Sequence, residues 1–342
     1  MMPAPGPSCR LKGEIMKAVT GVALVLALAA AHAAADEPLR KQASALFGRI
    51  EARPYSPTPQ TELGRALFWD TRLSLDGKTA CASCHRDWGS DNRRYSTDAR
   101  GKPTSRHSQT VFNSIAQPSL RWLGDRKSGA DQAEGSITGS MGFARKDEIV
   151  ALMGQLEYLA AFRAAYPDES APLNSRNYGR AIEAYEATLV TPAPFDRFLA
   201  GDDGALSDAQ KAGLRAFIAN GCAGCHSGPL LGGRLMQRFG VVKEYWAETG
   251  SERVDVGRFA ATKKEEDRYV CRVAMLRNIA KTAPYFHDGS VDRLDRAVKI
   301  MASVQLGRAL DDATTASIVA FLESLTGDVP AHYAPPAGSP AR

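Results

Sequence analysis

Two short segments carry the residue types best suited to hold a redox group. Cys81-Ala82-Ser83-Cys84-His85 and Cys222-Ala223-Gly224-Cys225-His226 both read C-x-x-C-H. Two thiols at this spacing can reach the two vinyl groups of one haem, and the histidine that follows falls beneath the iron as an axial ligand. The pattern predicts two covalently bound haem c groups, one on Cys81, Cys84 and His85, the other on Cys222, Cys225 and His226. A single structural zinc held by the four cysteines would leave the histidine after each pair without a role. A thioredoxin-like redox pair would want a strand before it and a helix after it, and neither pattern is evident.

The ligand on the other face of each iron decides what each haem does. A six-coordinate haem passes electrons, and a five-coordinate one can bind a small molecule. Beyond the two motif histidines, the chain after residue 35 offers His107, His287 and His332. His332 falls in a Pro- and Ala-rich tail and is a poor candidate. Met301 could ligate the second haem and raise its potential, although a Met at the end of a helix also serves as core packing.

The elements that must position these residues read as helices. Tyr178, Ile182, Tyr185 and Leu189 recur at helical spacing until Pro192. Ser207-Asp208 caps a helix through Leu214, Phe217 and Ile218, with Gly221 just past its end and the second motif directly after. Ile318, Phe321, Leu322 and Leu325 form one face of a last helix, closed by Gly327. No segment alternates with a period of two. The expected fold is mostly α, with two cytochrome-c-like haem domains at 36–200 and 205–330 and a flexible tail at 331–342.

Residues 1–35 read as a secretory signal peptide. Arg10, Lys12 and Lys17 are its basic region, Ala18 to Ala31 its apolar stretch, and Ala33-Ala34-Ala35 its cleavage site; Met16 could equally be the start. The apolar stretch is too short to span a bilayer, and no later segment is apolar enough, so the expected product is periplasmic with no membrane span after cleavage. Export agrees with haem attachment outside the cytoplasm. The formal net charge is +5, and loss of Arg10, Lys12, Glu14 and Lys17 leaves +3, with no basic run interleaved with aromatics. That balance argues against nucleic acid as a partner. Cys9 leaves with the signal peptide, and Cys271 between Val270 and Val273 reads as a buried apolar thiol.

The chain resembles the bacterial dihaem cytochrome c peroxidase family, of which MauG-type proteins are a related branch. In the second half the likeness rests on Leu276-Arg277-Asn278, Thr282-Ala283-Pro284-Tyr285-Phe286-His287-Asp288-Gly289-Ser290, Met301 with Gln305-Leu306-Gly307, and Ser324-Leu325-Thr326-Gly327. In the first half it rests on Leu63-Gly64, Leu67-Phe68, Arg72-Leu73-Ser74 and Thr110-Val111-Phe112-Asn113. The resemblance implies that Met301 ligates the high-potential haem, where MauG-type proteins place Tyr, and that Trp122 relays electrons between the haems. It implies that Gln132 lines the peroxide pocket. It also implies a calcium ion held partly by the backbone carbonyls of Thr282 and Pro284, and it is compatible with a homodimer. The implied activity is reduction of hydrogen peroxide to water with electrons from a small cytochrome c or a cupredoxin.

The pattern breaks in the peroxide pocket. The family supplies a Glu ten residues after the Gln; here the segment is shorter and Ser140 stands in its place, with Glu134 nearby. The loop that carries a blocking His in many members is short here, and its one His, His107, aligns nearer a calcium-ligand Asn. Either the first haem is permanently open or His107 ligates it. The peroxidase reading therefore stands beside two alternatives, a MauG-type enzyme oxidising a partner protein and a non-catalytic dihaem electron carrier.

Overall fold

The computed structural model describes residues 36–51 and 54–338; the signal-peptide expectation lies outside them. The described chain is mostly helical. In order it forms α1 (36–46), α2 (Pro59–Trp69), α3 (Cys81–Cys84), α4 (Gly129–Ser136), α5 (Lys146–Gln155), α6 (Leu159–Ala165) and α7 (Ser175–Glu186). Then follow α8 (Pro194–Leu199), α9 (Asp208–Ala219), α10 (Tyr245–Thr249), α11 (Phe259–Thr262), α12 (Leu294–Leu306) and α13 (Asp312–Glu323). One short ribbon accompanies the helices: β1 (Met236–Arg238) pairs antiparallel with β2 (Val270–Arg272), Gln237 opposite Cys271. No described helix is long and apolar enough to cross a membrane.

Two helix crossings organise the chain. Thr58 caps α2 in a box with Thr61, Pro59 sets its first turn, and Leu63, Leu67 and Phe68 form its buried face against α7. The crossing is so close that a Cβ on Gly64 would stand 1.9 Å from the Ala181 carbonyl oxygen. The second half repeats the device. Ser207 and Gln210 form the capping box of α9, Asp311 caps α13, and a Cβ on Gly213 would stand 1.8 Å from the Ser317 oxygen. At both positions any side chain would force the helices apart.

Each crossing has its own apolar core, but the cores do not follow the expected boundaries. The first gathers Leu63 to Leu189. The second gathers α9 and α13 together with Phe195 and Phe198 of α8, Leu39 and Ala43 of α1, and Phe47 just after it. Residues 36–47 and 194–199 thus belong with the second core, not with a first domain at 36–200. The reason is aromatic packing: Phe47 meets Phe195 edge-on at 5.8 Å and Phe217 at 6.2 Å. A buried ion pair fixes the junction, with Arg277 forked onto Asp196 at 2.6 and 2.8 Å and the Ile50 N–H donating to the same carboxylate at 2.6 Å.

Two further local expectations change. α7 ends at Glu186, and Leu189 is buried in the turn that follows. The C-terminal segment is not loose at its start, because Tyr333 inserts among Phe68, Trp69 and Phe112 of the first core.

Candidate functional site

The first motif forms the one-turn helix α3, and His85 caps it with its N–H on the Cys81 carbonyl at 3.0 Å. The chain then turns tightly through Asp87–Gly89, so that the Gly89 carbonyl faces His85 Nδ1 at 3.0 Å. Nδ1–H donates to that carbonyl, which leaves the Nε2 lone pair free for a metal. Burial lowers the His85 pKa, keeping the ring neutral, and raises the Cys81 thiol to about 12. Cys84 is also raised by burial.

The second motif reaches the same arrangement by a different turn. Cys222–Gly224 form a short 3-10 turn, and the His226 N–H donates to the Cys222 carbonyl at 3.0 Å. His226 Nδ1 meets the Leu231 carbonyl at 3.1 Å, again freeing Nε2, and burial lowers its pKa. Cys222, Cys225, His226 and Met301 of α12 line one cavity, closed by Phe217, Leu322 and other apolar side chains. The expected sulfur ligand and the second motif therefore share a pocket. The end of α12 is held over it by Gln305, whose Oε1 accepts from the Gly240 and Val241 N–H groups at 2.5 and 3.2 Å.

These two arrangements fit a haem at each motif: two free cysteines, a buried neutral imidazole with a tethered Nδ1 and, at the second, a thioether in the same cavity. A shared zinc does not fit. The two pairs lie in separate cores, and no group of three or more His, Cys, Asp or Glu side chains able to hold a metal occurs among the described residues. The loop and 3-10 turn ahead of Cys81 likewise exclude a thioredoxin-like setting.

Between the motifs lies a seam. Trp122 Nε1 donates to the His107 carbonyl at 2.9 Å, the His107 N–H donates to the His287 carbonyl at 2.8 Å, and the Arg272 N–H donates to the Trp122 carbonyl at 2.7 Å. Arg106 forks onto Asp255 at 2.6 and 2.8 Å, tying the two halves together. Trp122 thus sits in the wall between the motifs and lines the second motif's cavity. His107 Nδ1 meets the Arg93 carbonyl at 3.2 Å, and its Nε2 lies 3.5 Å from Ser90 Oγ. Ser90 adjoins Gly89, whose carbonyl receives the His85 Nδ1–H, so His107 is tied to the same turn as that carbonyl. Thr282 and Pro284 line the seam beside His107 and His287.

The polar residues expected around the peroxide differ in how they are held. Gln132 Oε1 is buried with no hydrogen-bond partner, an acceptor waiting for a donor. Glu134 is turned away, held by Lys146 at 3.0 Å and Ser175 at 2.8 Å. Ser140 is tied by its carbonyl to the Ala99 N–H at 2.9 Å. A further carboxyl, which the sequence patterns did not single out, interacts electrostatically with the first motif. Glu186, at the end of α7, is within electrostatic reach of Cys81, and burial, with Glu183 adding, pushes its pKa up to about 8. It is half-buried beside the buried stripe of α7, one turn after Ile182, and that place is its only sequence signal.

Comparison with known proteins completes the description. The family model for di-haem cytochrome c peroxidases matches residues 58–204. The chain is 44% identical over 319 residues to the cytochrome c551 peroxidase of Pseudomonas aeruginosa, covering 90% of this chain and 91% of that one. It is 36% identical to the cytochrome c551 peroxidase of Nitrosomonas europaea, covering 87% and 86%. Among solved structures, a MauG-like protein associated with microbial copper homeostasis superposes with a TM-score of 0.70 at 25% identity, covering 84% of this chain and 96% of that one.

Proposed function

Because the chain belongs to the di-haem cytochrome c peroxidase family, we propose that it reduces hydrogen peroxide to water at the first motif, with electrons entering at the second. The donor in this reading is a small cytochrome c or a cupredoxin, and the setting is the periplasm. Two haem groups supply one-electron chemistry, and an iron with one open face supplies the place where peroxide binds.

The chain's own residues divide the work. Cys81, Cys84 and His85 would hold one haem, and Cys222, Cys225, His226 and Met301 the other. The Gly89 and Leu231 carbonyls keep each imidazole in the tautomer whose Nε2 is basic. Trp122 stands on the route between the sites, its indole fixed by the His107 carbonyl. Gln132 Oε1 can accept a hydrogen bond from peroxide and orient it, but an amide cannot carry the proton. Glu186, protonated at neutral pH, is the nearby carboxyl able to supply one.

The observation that carries this reading is the asymmetry between the motifs. The second shares its cavity with a thioether, whereas His107 has its ring nitrogens at the Arg93 carbonyl and Ser90 Oγ. Steady-state turnover of reduced cytochrome c with peroxide tests it. Saturable oxidation by the as-isolated protein is expected; absence of turnover before and after partial reduction would refute it. Peroxide-dependent oxidation of a partner protein without cytochrome c turnover would favour the MauG-type alternative, which the Ser at position 140 keeps in view.

A further inference from the structure

The C-terminal segment crosses from the second core to the first and ends on the main chain of His85. It leaves α13 at Glu323 and is fastened at three successive residues, 332 to 334. The His332 ring stacks on Tyr55 at 3.8 Å, nearly parallel, with Nε2 2.9 Å from Thr188 Oγ1. The Tyr185 hydroxyl donates to the His332 carbonyl at 3.2 Å, and Arg65 Nε donates to the Ala334 carbonyl at 2.8 Å. Between these anchors Tyr333 enters the first core. Its ring meets Phe112 edge-on at 4.7 Å and Trp69 at 5.3 Å, and its hydroxyl donates to the carbonyl oxygen of His85.

That carbonyl is a sensitive place to hold. His85 has left helical geometry, with φ −114° and ψ 78°, so no helical bond fixes the direction of its carbonyl. The imidazole is set by the main chain it hangs from and by the backbone beside its ring, chiefly the Gly89 carbonyl that receives its Nδ1–H, with Gln109 adding. The strength of the second contact depends on the first, and it tunes the basicity of Nε2 and through it the iron. A phenol buried in an aromatic cage also needs an acceptor, and His85 supplies it.

We propose that Tyr333 is a positioning residue for the first haem, and that residues 331–335 act as a strap fixing the orientation of its axial ligand His85. Loosening the strap changes the first haem's axial field and leaves the second haem alone. The inference rests on haem attachment at His85, as read above.

The test compares Tyr333→Phe, which removes the hydroxyl and keeps the ring, with a chain ending at Pro330, both as holoproteins. Haem content is read first by the pyridine haemochrome assay; one haem per chain in the parent would refute the underlying reading, not the strap. With two haems present, midpoint potentials are taken by spectroelectrochemistry. Tyr333→Phe should shift the first-haem potential and its electron paramagnetic resonance g-values, the truncation should shift both further, and the second haem should match the parent in each. Unchanged first-haem signals in Tyr333→Phe would overturn the proposal, and so would equal shifts at both haems. If the truncated chain fails to mature, Tyr333→Phe decides alone.

Discussion

The two motif regions are built alike and finished differently. Each follows a helix crossing closed by a glycine, Gly64 on α7 or Gly213 on α13, and each turns its histidine so that Nδ1 is spent on a main-chain carbonyl. Up to that point the chemistry is one design used twice. Beyond it, the second region adds a helix that brings Met301 into the same cavity, with its end held by Gln305. In the proposed reading the first region adds the orphaned amide oxygen of Gln132, the half-buried carboxyl of Glu186 and a tyrosine strap behind the ligand. A shared scaffold makes both sites hold the same group; what stands on the open side decides whether that group stores electrons or meets a substrate.

The sharpest way to break this comparison is to remove what distinguishes the second region. Met301→Leu should depress turnover with a protein donor by about a hundredfold, the upper scale on which metal sites respond to a lost supporting contact. Stopped-flow should show slow reduction of the second haem while the first-haem spectrum is unchanged. Next in size is stability. Arg277→Met leaves Asp196 buried without its cation, which costs about 3–5 kcal/mol. Thermal melting followed at each haem should show the second core losing structure first. At the first site, Gln132→Ala removes one hydrogen bond to peroxide, a loss of up to about tenfold in kcat/KM for peroxide, with the donor KM unchanged.

The smallest expected effect is a pH dependence. Glu186 has its folded pKa pushed up to about 8, well above the ordinary glutamate value of 4.5, so the folded chain binds more protons than the unfolded one between those values. Stability therefore falls as pH rises through that window, and Glu186→Gln should flatten the fall. Urea unfolding of parent and variant at pH 5 and pH 9 measures it; equal slopes would remove Glu186 from the account as a buried acid.

Much of this was legible in the sequence because it is local. The C-x-x-C-H motifs, the Ser207 cap with its Gln210 partner, and the apolar face of α13 each depend on residues a turn or two apart. What escaped depends on distant partners. The apolar face of α1 gives no hint that Phe47 will pack on Phe195 and Phe217, so the first boundary falls in the wrong core. The Pro-rich C-terminus reads as loose because the cage for Tyr333 is assembled from Phe68, Trp69 and Phe112, far back in the chain. Glu134 shows the same limit. Its type suits the missing acid, yet Lys146 and Ser175 hold it elsewhere.

Electron paramagnetic resonance of the as-isolated ferric protein tests the inequality of the two sites most directly. A high-spin signal from the first haem beside a low-spin signal from the His226–Met301 haem is the expected result. Two low-spin signals that persist after half-reduction would contradict it and leave a dihaem electron carrier in its place.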